Sequence, residues 1–381
     1  MSLYVLKFGG SSVATPARIK HVSEIISKIV SAGNRVVVVT SAMQGTTNRL
    51  IDLAKSFSDT TFNREYDAII STGEQVAAGL LAMSLNSIGF PAKSFNAWQI
   101  PIKTTNNYSN AEIIEVNKDK ILKEIELGII PIITGFQGIS ENFDICTIGR
   151  GGSDATACAI ANTIKADECL IYTDVDGVYS ADPRIVLNAK KIQEVSYDDM
   201  IALATWGAKV LQTKSTLIAK KYNVNLKVLS SFSEGSGTQV SKKTKYICQN
   251  NITGIAHNLE LSLLSFKDEK NHSDILTLIK PFSTIDLGGL FLIHKASQTD
   301  LKIFLEEKLI QFEIDNDIGI TTIVGNFEFN NVILDRILEI SKANDITLKH
   351  KFCSQNSISL ITPFQQTETF VNLLHREFFE S

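Results

Sequence analysis

Short, continuously apolar runs alternate with amphipathic helical stretches from the N-terminus onward, and this order restricts the fold to a few architectures. The runs at 3–8 (LYVLKF) and 35–40 (RVVVVT) lack polar–apolar alternation, which predicts strands buried on both faces of a sheet. Between them, Thr15 and Pro16 predict the start of a helix and Gly33 predicts its end. The chain therefore begins with a predicted βαβ unit, which is typical of an α/β domain with a mostly parallel sheet.

The same alternation continues to residue 235 and then changes. Further helices are predicted at about 65–87, at about 111–127, from Ser153 onward and across 197–221, and further strands at 93–97, 129–134, 168–173 and 224–230. Residues 236–250 are polar, contain Gly and Ser and become basic, which indicates a linker. Beyond it, shorter apolar runs in β and α order predict two small α+β units at 251–315 and 316–381.

Composition excludes several classes of protein. The 381 residues include 37 basic and 41 acidic side chains, a net charge of −4, which provides no positive field for nucleic acid or an anionic membrane. No apolar run approaches the roughly 20 residues that span a bilayer, and we expect no secretory signal. The five cysteines lack CxxC spacing and lie mostly in apolar runs, which predicts buried, reduced thiols and a cytoplasmic location. The six histidines form no metal-ligand pattern, so no protein-held metal is predicted.

The first predicted strand contains a cation and ends in two glycines. Lys7, Gly9 and Gly10 lie at its carboxyl end, where ligands of open parallel sheets bind. Glycines let phosphate oxygens approach the backbone N–H groups closely, and Lys7 would add a positive charge. The pattern matches neither the P-loop nor the dinucleotide-binding fingerprint. The alternative is a strand end and tight turn with an incidental lysine.

A second glycine-rich stretch, TIGRGGSDATACAIAN at 147–162, precedes an Ala-rich helix. A helix N-terminus offers unpaired N–H groups and a positive dipole end, and Arg150 adds a bidentate guanidinium. The alternative is that Ser153 or Asp154 merely caps the helix. Capping does not explain an arginine flanked by glycines, so we favour an anion-binding site.

A third stretch, YTDVDGVYSADPRIV at 172–186, follows another buried strand and contains three aspartates. A Ca²⁺ loop, a plain Asp-Gly turn and a nucleotide-binding loop are the candidates, and the late bidentate Glu of an EF-hand is missing. The loop lies at a strand's carboxyl end, which favours the nucleotide. Ser41 and Thr47 follow the second strand, and Glu74 opens a helix where the dipole alone would favour it.

Six motifs together resemble the aspartate kinase family of the amino-acid kinase superfamily. In chain order they are KFGGSSV (7–13), SAMQGTTN (41–48), STGE (71–74), GRGGSD (149–154), TDVDGVYSADPR (173–184) and WGAKVL (206–211). The resemblance covers residues 1–240 and implies a three-layer α/β/α kinase domain at 1–235, followed by two ACT-like regulatory units. It implies ATP-dependent phosphorylation of the L-aspartate side-chain carboxylate to 4-phospho-L-aspartate, the first step toward lysine, threonine and methionine.

The resemblance also implies roles for single residues. Lys7 would stabilise the transferred phosphoryl group and Asp154 would hold that lysine. The implied ATP-binding positions are Lys7, Phe8, Gly9, Gly10, Ser11, Thr173, Asp174, Tyr179, Arg184 and Lys209. The implied aspartate-binding positions are Ser41, Thr47, Glu74, Arg150, Gly151, Gly152 and Ser153. Mg²⁺ would bridge the β- and γ-phosphates, held mostly by phosphates and water. The attacking carboxylate is already ionised at pH 7, so no general base is needed.

The sequence departs from the family pattern at two places outside the six motifs. Gln212-Thr213 replaces a common His-Pro, which does not affect the assignment. The stretches SFKDEKNHSDIL (265–276) and GNFEFNNVIL (325–334) lack the Pro-Gly turn of ACT effector loops. We therefore expect inhibition by lysine or threonine to be weak or lost, and the ACT-like units to serve in a homodimer or higher homo-oligomer.

Two alternatives remain open at this stage. Another amino-acid kinase (glutamate 5-kinase, acetylglutamate kinase or uridylate kinase) would share the fold and the lysine, but those families lack GRGGSD followed by TDVDGVYSADPR in this form. A catalytically silent regulatory subunit is the alternative outside the enzymes, and the intact Lys7, Glu74, Arg150 and Asp154 argue against it.

Overall fold

The chain divides into two compact units in the computed structural model. The structure describes residues 1–57, 63–208, 210–243, 251–266, 272–279, 282, 284–327 and 331–380. The first unit comprises 1–178, 191–201 and 209–245, and the second comprises 179–190, 202–208 and 246–381. The short segment 179–190, within the sequence region predicted as kinase domain, is thus grouped with the C-terminal unit.

The first unit is built on a large sheet. Its strands are β1 (Leu3–Phe8), β2 (Arg35–Thr40), β3 (Ala92–Phe95), β6 (Ile130–Thr134), β9 (Glu168–Thr173), β10 (Glu194–Ser196), β11 (Leu226–Ser230) and β12 (Thr238–Ser241), in the spatial order β10-β12-β11-β9-β1-β2-β6-β3. All neighbours are parallel except β11 and β12. The predicted α/β class with a mostly parallel sheet is confirmed.

A small sheet and eight helices complete the description of residues 1–243, and the second half of the helix Tyr197–Trp206 belongs to the second unit. The sheet has the order β5-β4-β7-β8, formed by β4 (Ile102–Thr104), β5 (Ile113–Val116), β7 (Gln137–Ile139) and β8 (Ile145–Thr147). The helices are α1 (Pro16–Ser31), α2 (Thr46–Lys55), α3 (Arg64–Ile70), α4 (Thr72–Ser87), α5 (Lys118–Glu126), α6 (Gly152–Ile164), α7 (Tyr197–Trp206) and α8 (Thr213–Tyr222). Thr15 caps α1 by accepting from the Arg18 N–H, as predicted.

Successive side chains of β1 lie on opposite faces of the large sheet and contact different helices. Leu6 and Phe8 pack with α1 and α4 in one core cluster, together with Leu81 of α4. Successive strand residues point to opposite faces, so Lys7 points away from that cluster, toward the face against which α6 packs. This alternation brings a lysine in a buried strand to the helix that follows the GRGGSD motif.

The second unit contains two antiparallel four-stranded sheets. One has the order β13-β18-β20-β19, formed by β13 (Ile252–Asn258), β18 (Gly319–Gly325), β19 (His350–Cys353) and β20 (Ser357–Thr362). The other has the order β15-β16-β14-β17, formed by β14 (Leu261–Phe266), β15 (Ile285–Asp286), β16 (Phe291–His294) and β17 (Phe312–Asp315). Its described helices are α9 (His272–Ile279), α10 (Gln298–Glu307), α11 (Asn331–Ala343) and α12 (Thr367–His375), and α12 continues into a wider π-helical turn, Arg376–Glu380.

The pairing of β13 differs from the predicted division of the C-terminal region. The sequence places 252–258 in the first small unit (251–315), yet β13 pairs along its length with β18 of the second. Likewise, β12 lies inside the predicted linker 236–250 but pairs with β10 and β11. Strand pairing depends on partners far away in the chain, which a boundary drawn from local composition does not reveal.

Local predictions were wrong at three further places. The helix predicted at 111–127 begins only at Lys118, capped by Asn117, because residues 113–116 form β5. The helix predicted at 65–87 is two helices, α3 and α4, separated at Ser71. Cys146, Cys158 and Cys169 are buried free thiols as predicted, but Cys353 is exposed; Cys248 lies outside the described residues.

One helical stretch in the described part of the chain, Arg64–Ser87, has the length and apolar composition of a membrane span. Half of its most apolar 18 residues are buried inside the protein, which is also usual for a core helix. Ala78, Leu81 and Leu85 pack into the main core cluster, and Glu74 is buried within the stretch. We therefore interpret it as a core element of the first unit.

Candidate active site

The carboxyl ends of three neighbouring strands lie level with one another at the centre of the large sheet. Phe8 of β1 is in register with Thr40 of β2 and with Tyr172 of β9. The Ser41 N–H then donates to the Phe8 carbonyl at 3.1 Å, and the Gly9 N–H donates to the Tyr172 carbonyl at 3.1 Å. The predicted motifs after these strands therefore meet at one edge, where α/β proteins bind ligands.

Lys7 forms a buried ion pair with Asp154. Its Nζ lies 2.6 Å from Asp154 Oδ1, and the two side chains are only 10% and 9% exposed. Asp154 is in the first turn of α6, where the helix dipole favours a carboxylate. The pair brings together the two residues to which the family resemblance assigns a catalytic role, and Lys7 does not extend into solvent.

The loop after β1 presents backbone amides. No backbone hydrogen bond is donated by Gly10 or Ser11 to any residue that the structure describes, whereas Ser12 and Val13 donate to Gly9 and Gly10 carbonyls. A Cβ at Gly10 would lie 3.0 Å from the Ala42 carbonyl oxygen, and one at Gly9 would lie 3.5 Å from Lys7 Nζ. The missing side chain at Gly10 thus lets the loop approach the Ala42 backbone closely, while the Gly9 backbone lies beside the Lys7 ammonium.

The GRGGSD loop is held by backbone geometry. Gly149 and Gly151 have φ of 81° and 72°, and a Cβ at Gly151 would lie 2.4 Å from Gln212 Cβ. Arg150 between them is exposed. The N-cap of α6 is Gly151, with no side-chain capping hydrogen bond, so Ser153 and Asp154 are not the caps that the alternative reading required. Ser153 instead packs against Gly135, where an added Cβ would lie 2.7 Å away.

Glu74 is a buried carboxylate with one unused oxygen. Its Oε1 accepts from the Ala42 N–H at 3.1 Å, while Oε2 has no hydrogen-bond partner among the residues that the structure describes. The residue is 3% exposed, and burial raises the pKa of Glu74 to about 7. A buried, unpaired carboxylate oxygen is costly unless a ligand uses it, and a cation is the ligand it would favour.

Other predicted positions are less directly placed. The Phe8 ring is fully buried and stacks on Tyr172 with centroids 4.7 Å apart, so only its backbone faces the loop. Thr47 is half-buried in the first turns of α2, and Thr173 Oγ1 donates to the exposed Asp174 at 3.0 Å. Tyr179 and Arg184 belong to the second unit, and Lys209 lies outside the described residues.

The structure disfavours a Ca²⁺ site in the aspartate-rich loop. Asp176 pairs with Lys191, and Asp182 pairs with Arg184 at 2.6 Å. The Arg184 guanidinium holds the pKa of Asp182 below its ordinary value. No group of three or more His, Cys, Asp or Glu side chains suited to a metal occurs in the described residues. The carboxylates of this loop therefore fit Mg²⁺ in one way only: phosphates and water would supply most of the ligands, and a single carboxylate such as Asp174 would add one more.

Sequence reasoning missed a buried carboxylate that supports the loops. Asp67 of α3 is fully buried and accepts from the N–H groups of Ser109 and Thr147 at 2.8 and 2.6 Å, and from both hydroxyls. The Ser109 carbonyl in turn lies 2.9 Å from where a Cβ of Gly149 would stand. The partners of Asp67 are 42 and 80 residues away in the chain, so no local signal could have identified it.

Comparison with known proteins agrees with this geometry. The model of the amino acid kinase family matches residues 2–230, which contain Lys7, Glu74, Arg150 and Asp154. Because this match covers more than half of the 381 residues, the chain is a member of the amino acid kinase family.

Individual relatives indicate which branch of the amino acid kinase family the chain belongs to. The chain is 36% identical to the aspartate kinase of Pseudomonas fluorescens over 99% of this chain and 98% of that protein, and 35% identical to the aspartokinase of Pseudomonas aeruginosa with the same coverage. The chain belongs to the aspartate kinase family. Its fold is similar to that of E. coli aspartokinase III in complex with aspartate and ADP, with a TM-score of 0.80 at 21% identity, covering 98% of this chain and 99% of that one.

Proposed function

We propose that this protein transfers the γ-phosphoryl group of ATP to the side-chain carboxylate of L-aspartate, giving 4-phospho-L-aspartate and ADP. Membership of the aspartate kinase family supports the reaction, and the buried Lys7–Asp154 pair beside the glycine loop is the observation that carries it. Aspartate phosphorylation is the first step toward lysine, threonine and methionine, and we propose a cytoplasmic location for it.

The reaction brings one anion onto another. A carboxylate oxygen of aspartate attacks the γ-phosphorus, the new O–P bond forms, and the bond to the β,γ-bridging oxygen breaks as ADP leaves. The carboxylate is ionised near pH 7, so no proton has to be removed. Catalysis therefore depends on positioning and on offsetting negative charge.

Different residues at this edge of the sheet would position the ATP phosphates and offset their negative charge. Lys7 would contact the transferred phosphoryl group, and Asp154 would keep the ammonium oriented between turnovers. The free amides of the loop at Gly10 and Ser11 would donate to phosphate oxygens. Mg²⁺, when bound to ATP, supplies additional neutralisation of the phosphates.

The aspartate side of the site would use complementary charges. Arg150, which lies between two glycines with positive φ, would form a bidentate contact with a carboxylate of the substrate. The unused oxygen of Glu74 would accept from the substrate ammonium. Ser41 and Thr47 would line the pocket, and the backbone of Gly151, Gly152 and Ser153 would border it.

The reaction can be tested with hydroxylamine trapping of the acyl phosphate and coupled detection of ADP. We expect hydroxamate and ADP in equal amounts with L-aspartate, and neither with glutamate, N-acetylglutamate or UMP. ADP formation with one of those substrates instead would identify another amino-acid kinase. Absence of ADP formation with all of them would identify a silent regulatory subunit.

The raised pKa of Glu74 predicts a pH dependence of aspartate use. Protonated Glu74 cannot pair with an ammonium, and with a pKa of about 7 its ionised fraction falls from roughly 90% at pH 8 to roughly 10% at pH 6. We therefore expect kcat/KM for aspartate, at saturating MgATP, to fall about tenfold from pH 8 to pH 6. Glu74→Gln is the control: its kcat/KM should be lower and flat over this range. An unchanged slope in the variant would contradict the assignment.

We also propose that the C-terminal unit forms a homodimer or higher homo-oligomer and responds weakly to amino-acid effectors. A second structure of E. coli aspartokinase III, in complex with lysine and aspartate, is similar to this chain with a TM-score of 0.78 at 22% identity. The stretches of this chain that lack the Pro-Gly turn include 267–271 and 328–330, which lie outside the described residues.

Millimolar lysine and threonine, singly and together, are expected to change the initial rate less than twofold. The reason is the missing turn, which in effector loops exposes backbone N–H groups to an amino-acid carboxylate. Strong inhibition by either amino acid would contradict the prediction, and sedimentation of the full chain would report its oligomeric state in the same buffers.

A further inference from the structure

The ammonium of Lys214, in the first turn of α8, joins two loops of the first unit. Its Nζ donates to the Ile148 carbonyl at 2.6 Å, to the Ala111 carbonyl at 3.2 Å and to Asn110 Oδ1 at 3.1 Å. The three contacts use all three hydrogens of the ammonium. Ile148 immediately precedes the GRGGSD motif, so the lysine binds the backbone just before the turn that contains Arg150.

A cation is unfavourably placed at this end of a helix. α8 begins at Thr213, so Lys214 lies at the positive end of the helix dipole, and the first turn contains no acidic residue. Burial lowers the pKa of Lys214 below its ordinary value, and the charge of Glu112 offsets only part of this effect. Among the described residues, the hydrogen-bond partners of Lys214 are neutral oxygens, and no carboxylate forms an ion pair with it. The ammonium therefore holds backbone and amide oxygens in place rather than a partner charge.

The start of α8 also lies against the other side of the same turn. Gln212, the N-cap residue of α8, is so close to Gly151 that a Cβ added to that glycine would lie 2.4 Å from Gln212 Cβ. A Cβ added to Gly149 would lie 3.4 Å from Asn110 Oδ1, one of the oxygens that the lysine binds. The glycines before and after Arg150 are therefore both packed against groups that α8 provides or holds.

The position of the Arg150 guanidinium depends on this backbone. The side chain is exposed and makes no hydrogen bond or ion pair within the part of the chain that the structure describes. We propose that Lys214 is a positioning residue: by binding the Ile148 carbonyl and the loop at 110–111, it fixes the turn that presents Arg150 to a carboxylate of aspartate. The inference rests on the proposed function, because it takes Arg150 as an aspartate contact. All of these residues belong to the first unit.

The chemistry of the contact determines which variants test it. Lys214→Met keeps an unbranched side chain that suits a helix, but it leaves three oxygens without their donor. Lys214→Gln is polar and shorter, and it keeps the test decisive if the methionine variant does not fold. Lys214→Arg retains the charge and supplies N–H donors, so it should restore the hold on the turn. Lys221→Met is the matched control, because Lys221 is an exposed lysine near the other end of the same helix.

We expect Lys214→Met and Lys214→Gln to raise KM for aspartate about fivefold or more, with KM for ATP within about twofold of wild type, because only the aspartate contact is misplaced. Lys214→Arg and Lys221→Met should stay within about twofold in both values, measured by ADP release. An unchanged KM for aspartate in both the methionine and glutamine variants would overturn the proposal, as would an equal rise of the two KM values.

A double-mutant cycle determines whether Lys214 acts through Arg150. In an Arg150→Ala background, Lys214→Met should raise KM for aspartate by less than about twofold, because the contact that it positions is already absent. The same fivefold rise with and without Arg150 would show that the two residues act independently, and the proposal would then be wrong.

Hydrogen exchange reports on the turn without reference to activity. The Gly152 N–H donates to the Gly149 carbonyl at 2.9 Å, so this amide is protected while the turn is fixed. In peptides covering 147–153, we expect exchange about fivefold faster or more in Lys214→Met, and wild-type exchange in Lys214→Arg and Lys221→Met. Unchanged exchange in Lys214→Met would overturn the proposal. A wild-type protein that does not phosphorylate aspartate would refute the proposed function, whereas the exchange rates would still decide whether Lys214 fixes the turn.

Discussion

Replacing Lys7 by methionine is expected to lower kcat by about 10³-fold or more, with a smaller effect on KM for aspartate. The Lys7 ammonium lies 3.5 Å from where a Cβ of Gly9 would stand, and loss of one preorganised charge at a transferring group typically costs 10²- to 10³-fold or more. A factor of 10³ corresponds to about 4 kcal/mol of transition-state stabilisation. Steady-state ADP release at saturating ATP and aspartate measures it.

The control for Lys7 has to separate chemistry from stability. The single variant leaves Asp154 buried without its partner, which is expected to cost about 3–5 kcal/mol of unfolding free energy. The double variant Lys7→Met with Asp154→Asn removes the uncompensated charge, so it should unfold at nearly the wild-type denaturant concentration and still be inactive. Recovery of activity in the double variant would show that Lys7 acts through the fold and not on the phosphoryl group.

Replacing Arg150 by alanine is expected to raise KM for aspartate about 30- to 150-fold, because a charge-assisted hydrogen-bonded pair contributes about 2–3 kcal/mol. Arg150→Lys should recover only part of this loss, since an ammonium cannot form the bidentate contact. Initial rates over a wide range of aspartate concentrations provide the measurement.

Arg35→Ala is the matched control for Arg150. Arg35 is also exposed, but it lies at the amino end of β2, away from the carboxyl edge that holds the site. Neither change should alter the unfolding free energy by more than about 0.5 kcal/mol, as is usual for exposed positions. Equal KM values for Arg150→Ala and wild type would remove Arg150 from the aspartate site.

The hydrogen-bond partners of Asp67 and of His375 could not be predicted from the sequence. The partners of Asp67 come from the turn at Ser109 and from the end of β8 at Thr147, and Ser180 is 195 residues from His375 in the chain. Side chains that are distant in sequence and close in space leave no periodicity or motif. The same holds for the pairing of β13 with β18, which reassigned a strand from one small unit to the other.

By itself, the sequence determined the α/β class, the parallel order of the first strands and the motifs at the strand ends, because burial on both faces and glycine-rich turns are local properties of the chain. It also determined the family, through motifs whose residues are contiguous. The family resemblance also implied that Asp154 holds Lys7. Only the tertiary structure decided that this ion pair is buried, that Glu74 keeps an unused oxygen, and that segment 179–190 is hydrogen-bonded to the C-terminal turn. These depend on which distant backbones pack together, and that is set by the sum of many contacts rather than by any one stretch of residues.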